Sequence, residues 1–93
     1  MIIRDYFNKL LWDSNSNKIR KEIEIIFINR GVPGNQIRIN YNEIIKIHHD
    51  KFEYFDSTSE IYKIIPYHRI KKILNSKTGE IIFKKKTFDA DNA

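Results

Sequence analysis

Ninety-three residues, with 17 Lys and Arg against 12 Asp and Glu, a net charge of +5 and no cysteine, describe one basic domain with a single modest core. That excludes a second, catalytic domain, disulfides, thiolate chemistry and cysteine-based zinc sites. The positive field favours anionic partners, nucleic acid before a membrane surface. No apolar run approaches the roughly 18 residues of a membrane span, and Arg4 and Asp5 stand near the start without a small-residue cleavage site. A cytoplasmic chain with no membrane partner is therefore expected.

Ile3, Phe7, Leu10 and Leu11 recur at helical spacing with Arg4, Asp5, Asn8 and Lys9 between them, which predicts a short amphipathic helix ending near Trp12, with Trp12 in the core. The polar cluster at 13–17 reads as a loop. From 22 to 30 the pattern turns to strand, apolar on both faces and so central: Ile23, Ile25 and Phe27 on one side, Ile26 and Ile28 on the other. Pro33-Gly34 suits the middle of a type II turn, after which Ile37, Ile39 and Tyr41 alternate with polar residues as a strand with one wet face. Residues 42–47 fit either a helical turn or a strand, and we favour strand. Residues 52–55 form a short aromatic segment, 56–60 a loop, 61–74 an extended stretch interrupted at Pro66, 75–79 a turn, and 80–86 a last strand. The predicted fold is α+β: an N-terminal helix packed on a mainly antiparallel, partly barrel-like sheet of five or six short strands. It fills one domain over 1–87, with a disordered tail at 88–93.

The run Ile65-Pro66-Tyr67-His68-Arg69-Ile70 stands out, because a strand interior accepts proline only at an edge or bulge. A backbone interruption just before an imidazole and a guanidinium suggests a phosphate site: Arg offers a planar fork matched to phosphate oxygens, His a donor that can gain charge. Strand alternation would put Tyr67, Arg69 and Lys71 on one side and His68 on the apolar side with Ile64, Pro66 and Ile70, a structural position unless a bulge re-aims it. Arg30-Gly31 at the end of the central strand is the second candidate, an arginine followed by a residue that lets backbone N–H groups approach a ligand; a plain turn with a solvated arginine is the competing explanation. The third is basic surface around one hairpin: Lys71, Lys72, Lys77, Lys84, Lys85 and Lys86, with Tyr67 and Phe83 interleaved. Lysines meet phosphates and aromatic faces meet bases, the mixture single-stranded nucleic acid needs, although a charge run is more often a solvated face. His48-His49-Asp50 lacks the spacing of a metal site, and there is no Ser/His/Asp set, paired-carboxylate motif or P-loop, so neither metal, cofactor nor catalytic residue is assigned.

Trp12 after the first helix, the strand into Asn29-Arg30-Gly31-Val32-Pro33, the 65–70 run and Gly79-Glu80-Ile81-Ile82-Phe83-Lys84 come in the order and spacing of a small, mainly archaeal family. The chain resembles the RNA cyclic group end recognition domain from Tyr6 to about Lys85. The resemblance implies a non-catalytic RNA-binding module for phosphorylated or cyclic-phosphate ends, in RNA repair or processing, and associated with nucleotidyltransferase or phosphoesterase domains. Carried over, it points to Arg30, His68 and Arg69 as ligands, with Gly31 and Pro66 shaping the backbone. Asn29 departs from the family pattern, which usually shows a histidine there. The site residues expected to bind RNA or phosphate are thus Arg30, Gly31, Tyr67, His68, Arg69, Lys71 and Lys84. The alternatives are a protein-interaction module docking to such an RNA-processing enzyme, and a small ribonuclease or phosphoesterase using His68.

Overall fold

A computed structural model of the chain describes residues 2–13, 17–29, 31 and 33–85. Helix α1 (Ile3–Trp12) forms where expected and buries Phe7 and Leu10. Trp12 is a correction to the sequence reading: it is 80 % exposed. At about 100° per residue it lies some 140° round the helix from Phe7 and 160° from Leu10, so the face that buries those two turns the indole outward. Orphan carbonyls at the end of α1 are met by Arg20 of the short helix α2 (Asn17–Arg20), whose Nε donates to Leu10 O and whose Nη2 donates to Leu11 O at 2.8 Å. That helix begins at the last residue of the expected loop.

Among the described residues seven strands follow: β1 (Ile23–Ile28), β2 (Gln36–Asn40), β3 (Ile44–Ile47), β4 (Lys51–Asp56), β5 (Ile61–Pro66), β6 (Ile70–Asn75) and β7 (Ile81–Lys84). They do not make one curled sheet. All pairs are antiparallel, in a four-stranded sheet ordered β2-β1-β6-β7 and a three-stranded sheet ordered β3-β4-β5. The α+β class and the helix-plus-antiparallel layout hold, and β1 is interior as its two apolar faces require.

The chain reverses between β1 and β2 through Gly34, whose φ of 76° and ψ of −2° match the third residue of a type II turn. The first passage between sheets departs from the strand reading of 42–47. Asn40 starts a 3₁₀ turn (Tyr41–Glu43): its Oδ1 accepts from Asn42 N–H, and its own N–H donates to Glu43 Oε2 at 2.7 Å. This is the capping-box signature Asn-x-x-Glu, present in the sequence but outweighed there by the isoleucine pattern. Only Ile44–Ile47 is strand.

The core fills the space between the sheets under α1. Phe52 is fully buried at its centre, with ring centroids 5.7 Å from Phe7, 6.2 Å from Phe27, 6.4 Å from Tyr54 and 5.9 Å from Tyr67. Ile70 and Ile73 both point into this core although they are three positions apart. A bulge at Lys71 explains it: Ile70 pairs with Phe27 and Lys72 with Ile26, so one residue of β6 is extra and the alternation resets.

Candidate nucleic-acid interface

The 65–70 run is a corner between the two sheets and not one continuous strand. Strand β5 ends at Pro66, which is tolerated because β5 is the edge of its sheet. Tyr67–Arg69 then forms a 3₁₀ turn, and β6 starts at Ile70 in the other sheet. The turn corrects the predicted alternation. With three residues per turn, positions i and i+3 project together, so Tyr67 and Ile70 face the core while His68 and Arg69 are both exposed. The corner at 41–44 repeats the device, with Tyr41 and Ile44 inward and Asn42 outward.

His68 is therefore not the buried, structural histidine that strand geometry would make it. Neither His68 nor Arg69 has a side-chain polar partner among the described residues. Tyr67 moves the other way. Its ring stacks on Phe52 at an interplanar angle of 25°, meets Phe7 edge-on at 5.9 Å, and its hydroxyl donates to the His48 carbonyl at 2.7 Å. A ring so engaged does not offer the free face expected for stacking on a base.

Tyr67 and Tyr41 link this corner to the helix. Burial pushes both phenols up to about 12, against Arg4 near Tyr67 and Arg20 near Tyr41, which act in the opposite sense; Tyr41 also donates to the Phe7 carbonyl at 2.6 Å. In the unfolded chain each would ionise near 10. Above that pH the unfolded state binds fewer protons than the folded one, so stability falls as pH rises from about 10 to 12. A series of melting temperatures across this range should decline less steeply for Tyr67→Phe and for Tyr41→Phe than for the parent; equal slopes would separate these phenols from alkaline unfolding.

Three open grooves meet around the corner. The first, of about 520 Å³, has an apolar floor of Ile3, Ile70 and Phe83 and a rim of Arg4, His49, His68 and Lys85. The second, of about 480 Å³, lies between the end of β1 (Ile28, Asn29) and His68, Arg69 and Lys85. The third, of about 330 Å³, runs over the outer face of the four-stranded sheet past Arg38, Lys71, Lys72, Lys84 and Lys85. Among the described residues no carboxylate lines any of them. Lys85 borders all three; its Nζ donates to the His68 carbonyl at 2.6 Å and its backbone N–H to Lys71 O at 2.9 Å, which ties the end of β7 to the corner.

Of the residues singled out from sequence, His68 and Arg69 share one groove, and Lys71 and Lys84 share the adjoining one. Arg30 lies outside the described residues, while its neighbour Asn29 lines the second groove. Gly31 is exposed with φ of 96°, a left-handed conformation that favours glycine, and a Cβ there would meet nothing within 4 Å among the described residues. Lys85 belongs to the lysine run without standing out in it. Arg4, Arg38 and His49 escape sequence reasoning, since nothing in the sequence pairs a residue of the first helix or of 48–50 with the 67–69 turn. Arg4 Nη1 donates to His49 Nδ1, and His48 is taken by Glu53 at 2.5 Å. Among the described residues no group of three His, Asp or Glu side chains is placed to hold a metal ion, and no helix is long and apolar enough to cross a membrane.

The family described as MJ1316 RNA cyclic group end recognition domain matches residues 1–85. The chain belongs to this family. Among curated relatives, a UPF0248 protein of Methanococcus vannielii is 40 % identical over 88 residues, covering 95 % of this chain and 96 % of that protein. UPF0248 protein MMP0286 of Methanococcus maripaludis is 35 % identical over 85 residues, 91 % of this chain and the whole of that protein. UPF0248 protein MJ1316 of Methanocaldococcus jannaschii is 32 % identical over 85 residues, covering 91 % and 95 %. No solved structure matches. The matched span of the MJ1316-type domain takes in both ends of the cationic surface, Arg4 in the first helix and Lys85 after β7.

Proposed function

We propose that this chain is a non-catalytic RNA-binding module that recognises a phosphorylated or cyclic-phosphate RNA end, in a repair or processing setting. The observation that carries the reading is the second groove, where His68, Arg69 and Lys85 converge with no carboxylate among the described residues and open directly onto the apolar floor of the first. A cyclic phosphate is a monoanionic diester fused to a ribose. Arg69 has the donor fork for its two free oxygens, Lys85 adds a point charge, and Ile3, Ile70 and Phe83 offer an apolar bed for the sugar. The family's description points the same way.

The test compares the same oligonucleotide ended by a cyclic phosphate, a linear phosphate and a hydroxyl, by fluorescence anisotropy. We expect at least about a tenfold preference for a phosphorylated over a hydroxyl end, in line with one or two charge-assisted hydrogen bonds, and equal affinities would overturn end recognition. His48 is engaged by Glu53 and His49 by Arg4, so among the described residues His68 is the histidine without a side-chain partner, and two-histidine acid–base cleavage in the second groove lacks its second imidazole. Conversion of the cyclic end to a monophosphate, lost in His68→Ala, would replace this reading with a phosphoesterase.

A protein-interaction module draws on another surface. Tyr62 and Ile64 are exposed on the outer face of the three-stranded sheet, with Phe55 5.2 Å from Tyr62, and none of them lines the basic grooves. That reading gains if a nuclease-insensitive complex with an RNA-processing nucleotidyltransferase or phosphoesterase is lost on Tyr62→Ser with Ile64→Ser, and the chain retains no RNA at physiological salt.

A further inference from the structure

The outer face of the four-stranded sheet carries a row that its register makes unusual. Arg38 of β2 stands opposite Ile26 of β1, Ile26 opposite Lys72 of β6, and Lys72 opposite Lys84 of β7. Like charges directly across an antiparallel pair are destabilising, and Lys72 and Lys84 have no carboxylate partner among the described residues; Arg38 has Glu24 at 3.2 Å and remains 62 % exposed. Ile26 points to this outer face yet is only 6 % exposed. The aliphatic stems of its long cationic neighbours cover it, as such side chains do when their charged heads reach for water or for an anion.

We infer that this row is a path for the phosphate backbone of the RNA body, leading away from the end groove across the sheet from β7 to β2. The inference rests on the RNA reading above and adds the course and the character of the interaction. Four strands at about 4.8 Å spacing give the row a length of about 14 Å, the reach of a few nucleotides. Its groove continues from the end site through Lys85, which lines both. Lysines and an arginine supply the positive charge, Lys71 is tethered to Gln36 at 3.3 Å, and the lining contains no aromatic side chain among the described residues. Phosphates can be held here and bases cannot be stacked, so the binding is independent of sequence and sensitive to salt.

The test uses Lys72→Glu in the full chain, with Lys84→Glu as a second variant, and cyclic-phosphate-ended RNA of two and of about ten nucleotides. The parent should bind the longer RNA more tightly than the dinucleotide, by a margin that shrinks as salt rises. Lys72→Glu should weaken the longer RNA about tenfold, make its salt slope shallower by about 0.7 for each phosphate no longer neutralised, and leave the dinucleotide within about twofold. The melting temperature should rise or stay level in both variants, because each turns a repulsive cross-strand pair into an attractive one. Equal weakening of both RNAs, no length dependence in the parent, or a loss confined to phosphatidylserine vesicles and absent for RNA would each overturn the path. A hydroxyl-ended RNA that binds as tightly as the cyclic-phosphate RNA of the same length, with the same length dependence and the same loss, would support the path while removing end recognition, so the two readings fail separately.

Discussion

Replacing Phe52 by alanine is expected to lower stability by about 3–5 kcal/mol, the cost of removing a fully enclosed aromatic and leaving its cavity. The ring is 0 % exposed and touches aromatic side chains from four places: Phe7 of α1, Phe27 of β1, Tyr54 beside it in β4, and Tyr67 of the corner. A domain of this size has roughly 5–15 kcal/mol in total, so the variant should sit near its folding limit, with a melting temperature lower by about 4–8 °C for each kcal/mol. Urea unfolding checks the magnitude. Phe52→Leu, which keeps most of the volume, should lose less than half as much, and similar losses for both would mean that the core does not depend on this ring. The effect should also reach the surface, because Tyr67 rests on Phe52 and its two successors in the chain are His68 and Arg69. Phe52→Leu, still folded, should therefore weaken RNA binding more than a stability change alone predicts.

Much of the frame is legible from periodicity, and the failures share one cause. Helix α1, the central β1, the Gly34 reversal and the β6–β7 turn follow from spacing and turn chemistry, which are local properties. The two corners mislead because each is built from three residues that resemble strand. Tyr41-Asn42-Glu43 and Tyr67-His68-Arg69 lie between apolar stretches that alternate well enough to be read straight through, so period two extends on paper across a segment of period three. At 40–43 the capping box is a usable signal. At 66–69 Pro66 marks the break but not its geometry, and which side chains face out depends on that geometry. Arg4, His49 and Arg38 are out of reach for another reason: their proximity to the corner or its track depends on how two sheets and a helix pack, which pairs positions dozens of residues apart. Trp12 shows the limit of treating aromatic character as burial when the helical angle already turns it outward.

Arg69→Ala should cost about 1.5–3 kcal/mol of affinity for a phosphorylated or cyclic-phosphate end, a loss of about 10- to 150-fold, the range of a charge-assisted hydrogen bond to a phosphate. The fold should tolerate the change: the side chain is exposed, has no polar partner among the described residues, and sits where substitutions usually shift stability by no more than about 0.5 kcal/mol. This separates it from Lys85, whose ammonium also holds the His68 carbonyl, so that Lys85→Ala would loosen the corner and remove a cation together. Arg69→Lys retains the charge but loses the fork, and should fall between parent and alanine for the phosphorylated end. For a hydroxyl-ended RNA the three proteins should agree within about threefold, since only general attraction is left. Isothermal titration with the two end groups distinguishes the roles of Arg69. A loss that depends on the end places the guanidinium on the terminal phosphate; the same loss for both ends reduces it to one more positive charge in the field around Lys85, and the recognition of the end would then have to come from elsewhere in the chain.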